Sequence, residues 1–149
     1  MGNKGNPRTR PGFNATLQKQ PRAERIPADY SQKPSWRFSL LEMCDPYGWH
    51  EIGREKLLEV HVKLKEFEKL TWHEILVENS DRNHPISKFK ICKPAFDRLA
   101  EIKQDDIDEL VSLRLSGPER IWGILELGTL RLLWWDPDHQ ICPSHKRNT

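Results

Sequence analysis

The last third of the chain constrains the fold most. Val111, Leu113 and Leu115 alternate with Ser112, Arg114 and Ser116, Gly117-Pro118 turns the chain, and two more apolar runs, 120–126 and 130–135, flank Leu127-Gly128. Period-two alternation broken by turn residues is the pattern of strands joined by short hairpins, and strands so close in sequence pair antiparallel. Register then decides which side chains share a face, because a slip of one residue turns every side chain over. A three-residue loop over 117–119 pairs Ser116 with Arg120, and a two-residue loop at Leu127-Gly128 pairs Glu126 with Thr129. One face then carries Val111, Leu113, Leu115, Ile121, Gly123, Leu125, Leu130, Leu132 and Trp134. The other carries Ser112, Arg114, Ser116, Arg120, Trp122, Ile124, Glu126, Arg131, Leu133 and Trp135. A two-residue first turn would instead drive Arg120 under the helices, and burying an unpaired cation is costly. The expectation is therefore an apolar face under helices and an open face holding three Arg and two Trp.

The helices come earlier. Leu57, Val60, Leu64 and Phe67 recur at helical spacing with Lys and Glu on the remaining positions, which predicts a helix over 53–69. Thr71-Trp72-His73-Glu74 is a capping box opening a short helix to about 78. The stretch 79–85 reads as a polar break, and Lys93-Pro94 opens a third helix with Phe96, Leu99 and Ile102 as its apolar stripe. Trp36, Phe38 and Leu40 alternate as a first strand, followed by a loop over 43–53. Strand, helices, then a meander predicts an α+β domain, with a mostly antiparallel four-stranded sheet and helices packed on one face.

Composition sets the limits of that domain. Residues 1–37 hold eight Lys or Arg and two acids, a net of +6, while 38–149 hold 16 and 20, a net of −4. The basic stretch has no apolar period, so 1–34 is expected to be a disordered arm, 35–143 the domain and 144–149 a flexible tail. No run approaches the ~20 apolar residues a membrane span needs, no apolar segment follows the basic start as a secretory signal would require, and three Cys are too few for a disulfide framework. These features predict a cytoplasmic protein without membrane association. His139-x2-Cys142-x2-His145 has metal-like spacing but no second ligand pair, so no metal and no other cofactor is expected. Gly-rich phosphate loops, dinucleotide fingerprints and Ser elbows are missing from the sequence.

The open face suggests a chemistry. Guanidinium groups hold phosphates in bidentate fashion, and Trp rings stack on unpaired bases. Arg131, Trp122 and Trp135 are thus candidate RNA-binding residues. Asp136-Pro137-Asp138-His139 follows the last strand directly, so Asp136 or His139 is a candidate acid–base group at the rim. Two readings follow: a catalytic site for RNA, and a non-catalytic module binding RNA or a partner through the Arg/Trp face.

The order strand–helix–helix–strand–strand–strand over about 36–141, and the meander over 109–143 in particular, resembles the RelE/ParE toxin superfamily and a branch of small bacterial and phage proteins related to it. The resemblance implies a metal-independent endoribonuclease acting on messenger RNA at the ribosome and neutralised by a small antitoxin protein. It implies Arg114, Arg120 and His139 as the catalytic set. ParE-type members share the fold but target gyrase without that set.

Overall fold

A computed structural model describes residues 28–143. The expected arm over 1–27 and tail over 144–149 lie outside the described residues. The arm was expected to reach residue 34, and there the structure differs: Ala28–Ser31 forms a 3-10 turn, and the Trp72 amide donates to the Gln32 carbonyl at 2.9 Å. The approach to the first strand is thus tied to the body.

The architecture is α+β, with a mixed sheet of five strands in place of the expected four. In chain order the elements are β1 (Ser35–Arg37), α1 (Arg54–Phe67), a π-helical turn (Glu74–Glu78), β2 (His84–Ser87), α2 (Lys93–Glu101), β3 (Glu109–Arg114), β4 (Arg120–Glu126) and β5 (Thr129–Asp136). The sheet order is β1-β5-β4-β3-β2, with β1 parallel to β5 and the other pairs antiparallel. The added strand, β2, falls where the sequence reads as a polar break. Its Pro85 fits an edge strand, where a missing N–H costs no ladder bond. The capping box forms as expected: the Thr71 amide donates to Glu74 Oε1 at 2.8 Å and the Glu74 amide to Thr71 Oγ1 at 3.2 Å.

The meander keeps the expected faces up to one point. Arg114 pairs with Arg120, and the Leu115 amide donates to the Glu119 carbonyl, so the turn sits over 116–118, one residue earlier than expected. The resulting shift is even, and each β3 side chain keeps its face. Glu126 pairs with Thr129 as expected. A bulge then sets Gly123 opposite Leu132 but Trp122 opposite Trp134, leaving Leu133 as the extra residue. Beyond it the two Trp exchange faces. Gly123 suits this place, since a Cβ there would come within 2.7 Å of the Arg131 carbonyl oxygen.

Both faces of the sheet are covered. Val60 and Phe67 of α1, with Trp72 and Ile75, pack on Val111, Leu113, Ile121, Leu130, Leu132 and Trp135. On the opposite side, Ala95 and Leu99 of α2, with Tyr47 and Ile141, pack on Leu110, Trp122, Ile124, Leu133 and Trp134. The expectation of helices on one face and an open Arg/Trp face is therefore corrected. The second face carries too much apolar area to stay wet, and α2 buries it. Glu42 seals this side: its carboxylate accepts from Arg98 Nε and Nη2, both at 2.8 Å, and from Trp134 Nε1 at 3.0 Å.

Candidate functional site at one end of the sheet

Where the sheet runs out past α2, its polar positions gather. Arg114 ends β3, Arg120 begins β4 and Asp136 ends β5, and they form one cross-strand row, Arg114–Arg120–Asp136. With strands ~4.8 Å apart, that row is about 10 Å wide. The next row inward is His84, Ser112, Trp122 and Trp134.

Asp136 is 1% exposed and shapes the segment that follows. Its carboxylate accepts from the Gln140 amide at 2.8 Å, the Ile141 amide at 3.0 Å and Trp122 Nε1 at 3.3 Å. These bonds close a tight hook over 136–141. Within it His139 adopts φ of 55°, a left-handed conformation that His tolerates better than most non-glycine residues. The hook holds the half-buried imidazole within electrostatic reach of Arg120 and Arg114. Burial first, then Arg120, push its pKa below the usual 6.5, with His84 and Arg114 acting in the same direction and Asp136 opposing. At neutral pH the ring is therefore a neutral base. Burial, followed by the like charge of Arg114, also lowers the pKa of Arg120 against the pull of Asp136. An arginine starts so high that it stays a cation at neutral pH. Arg120 Nη1 donates to the Gly117 and Glu119 carbonyls at 2.7 and 3.1 Å, which fixes the guanidinium.

His84 completes the group and was missed in the sequence, because a single apolar residue, Ile86, marks its strand. Its Nδ1 lies 3.0 Å from the Ser80 carbonyl. A carbonyl can only accept, so Nδ1 carries the proton and Nε2 is left for exchange.

Of the residues expected at the site, Arg114, Arg120 and His139 come together. Trp122 and Trp135 do not: they are 0% and 3% exposed, on opposite faces, with Trp135 tilted against Trp49 at 5.7 Å. Neither ring offers a face to a base. Arg131 lies five residues back along β5, about 16 Å from Asp136, and its Nη1 pairs with Glu126 at 3.3 Å. Of the metal-like run, His139 and Cys142 are described and His145 lies outside the described residues.

No protein-family model matches the chain, and neither a curated protein nor a solved structure is significantly similar to it. Among the described residues no helix is long and apolar enough to cross a membrane.

Proposed function

We propose that this chain is a metal-independent endoribonuclease of the RelE kind, acting on messenger RNA in association with the ribosome and restrained by a small antitoxin protein. The observation that carries the reading is the convergence of two imidazoles and two guanidiniums at one sheet end, with a buried carboxylate holding the hook behind them.

Each group has a place in the reaction. The RNA 2′-hydroxyl attacks the adjacent phosphorus while the bond to the 5′-oxygen breaks, giving a 2′,3′-cyclic phosphate and a 5′-hydroxyl. His139, neutral because of burial and Arg120, accepts the 2′-hydroxyl proton. His84, its Nδ1–H held by the Ser80 carbonyl, gives a proton from Nε2 to the leaving 5′-oxygen when both ring nitrogens are protonated, and ends as the neutral Nδ1–H tautomer. Arg114 and Arg120 hold the charge growing on the phosphoryl oxygens, and because Arg120 is already fixed by two carbonyls, little reorganisation is needed. Asp136 is a positioning residue.

The test is incubation of the full-length chain with RNA, with and without ribosomes, in excess chelator. Fragments ending in 2′,3′-cyclic phosphate are expected. His139→Ala and Arg120→Ala are each expected to slow cleavage by about 10²–10³-fold. Intact RNA under all these conditions would overturn the nuclease reading. The non-catalytic alternative loses its stacking platform, since Trp122 and Trp135 are core residues.

A further inference from the structure

Two of the three cysteines meet where the hook over 136–141 ends. The Cys92 amide donates to the Ile141 carbonyl at 2.7 Å. Standard backbone dimensions then bring the Cα atoms of Cys92 and Cys142 within about 7 Å of each other, the limit for a disulfide that needs no backbone movement. Both side chains pack against the same cluster, in which Tyr47, Ala95, Leu99 and Ile141 cover the second sheet face. Both are half-buried, which leaves them open to a small oxidant. The third, Cys44, is exposed, and its sulfur accepts from Arg98 Nη2, near the other end of α2, at 3.3 Å.

Their surroundings give the two thiols different roles. The Tyr47 hydroxyl lies 3.2 Å from Cys92 Sγ. Burial first, then Cys92, hold the Tyr47 phenol well above its ordinary range, so it keeps its proton and can donate it to the sulfur. Burial raises the pKa of the Cys142 thiol against the pull of Lys90, and Cys92 adds to the rise, so the two sulfurs lie within electrostatic reach of each other. Oxidation follows thiolate character, and a thiol held protonated is a poor first target. Cys92 is therefore the sulfur oxidised first and Cys142 the one that resolves it. Cys142 also follows the hook that carries His139, and the Ile141 amide is one of the donors that Asp136 holds. A bond from Cys142 to Cys92 ties that hook to the start of α2 and closes a loop containing α2, β3, β4 and β5.

We propose that Cys92 and Cys142 are a site of oxidative modification, a thiol pair that a hydroperoxide converts to a disulfide clamping the hook that carries His139. With hydrogen peroxide, an S–O bond forms at Cys92 as the O–O bond breaks, giving a sulfenic acid and one water. The Cys142 sulfur then attacks the Cys92 sulfur. The S–S bond forms, the S–O bond breaks, and the hydroxyl leaves with the Cys142 proton as a second water. The pair gives up two electrons and two protons, and the peroxide takes up both. The clamp stands apart from the nuclease reading, because its bond and its effect are both measured without RNA.

The experiment treats the full-length chain with hydrogen peroxide, maps its cysteines by peptide mass, and follows amide hydrogen exchange before and after. The Cys92 and Cys142 peptides are expected to be joined within one chain. Exchange at the Gln140 and Ile141 amides should slow by about ten-fold or more, because the clamp suppresses local opening of the hook. The melting temperature should rise, because the long closed loop constrains the unfolded chain. Both effects should reverse on reduction with dithiothreitol. Cys44→Ser should behave as the wild type does. Cys142→Ser removes the resolving sulfur, so it should stop at a sulfenic acid on Cys92, trapped by dimedone, with hook exchange unchanged. A disulfide made through Cys44 instead, or Cys92 and Cys142 left as thiols by peroxide that oxidises Cys44, overturns the proposal. A Cys92–Cys142 bond that leaves exchange at Gln140 and Ile141 as it was overturns the clamp.

Discussion

At the scale of single residues, His139 is the most informative group. Its charged form is disfavoured by burial and by Arg120, so its titration midpoint in the full-length chain, followed by NMR of the ring, should lie below 6.5. Arg120→Gln should move it upward, toward 6.5. The consequence for stability follows from linkage. Between the depressed folded value and the unfolded value near 6.5, the unfolded chain binds more protons, so stability rises with pH there. The contribution of His139 is complete above about 6.5 and is lost as pH falls through its folded value. A midpoint at or above 6.5 in the wild type would contradict the burial and the Arg120 contact together. Trp122 makes the opposite point. It reads in the sequence as a ring offered to RNA, but it lies at 0% exposure, bonded to Asp136. Trp122→Ala should cost about 3–5 kcal/mol of unfolding free energy by denaturant titration, whereas an exposed Trp would cost under about 0.5 kcal/mol.

At the scale of elements, sequence and structure part where a single residue changes the count. β4 is legible to its ends, because alternation and the turns at Gly117 and Gly128 punctuate it. The helix over 54–67 and the Pro-led helix at 93 are legible for similar reasons. The bulge at Leu133 is not. A five-residue run Leu132–Asp136 without polar alternation carries no mark of where a residue is skipped, so Trp134 and Trp135 were assigned to each other's faces. β2 was hidden because an edge strand needs few apolar residues. The cover of the second face follows from α2, whose stripe was read correctly but placed on the wrong side. That Arg114 and Arg120 share one face was legible from the alternation, since an even register shift leaves it unchanged, and His139 stood out as following the last strand directly, while their catalytic role is what the resemblance implies. His84 was not legible, since its partners lie 28 residues on at Ser112. The helix assignments lead to a paired prediction. Leu99→Ala removes a fully buried α2 side chain and should cost about 2–5 kcal/mol. Leu57→Ala, on α1 at 53% exposure, should change stability by under about 0.5 kcal/mol. Equal costs would mean that α2 does not cover the second face.

At the scale of the whole molecule, charge is distributed against the average. Residues 38–149 are net negative by four, yet Lys63, Arg82, Arg114 and Arg120 meet around one end of the sheet, while Lys56, Lys93, Arg98 and Arg131 are paired with carboxylates. A local positive field on an acidic body steers an anionic chain to that end and repels it elsewhere. Salt dependence then counts the contacts. For single strands the slope of log K against log salt is about −0.7 per phosphate neutralised. Three or four cations in contact predict a slope of about −2 to −3 for binding of a short RNA, measured with the inactive His139→Ala variant so that the strand stays whole. Arg82→Gln should make that slope shallower by about 0.7, one phosphate's share. Arg131→Gln should leave it unchanged, because Arg131 is paired with Glu126 and lies far along β5. A slope near zero would mean that RNA does not engage this end of the sheet. A slope that changed with Arg131 and not with Arg82 would move the interface to the opposite end, away from both imidazoles.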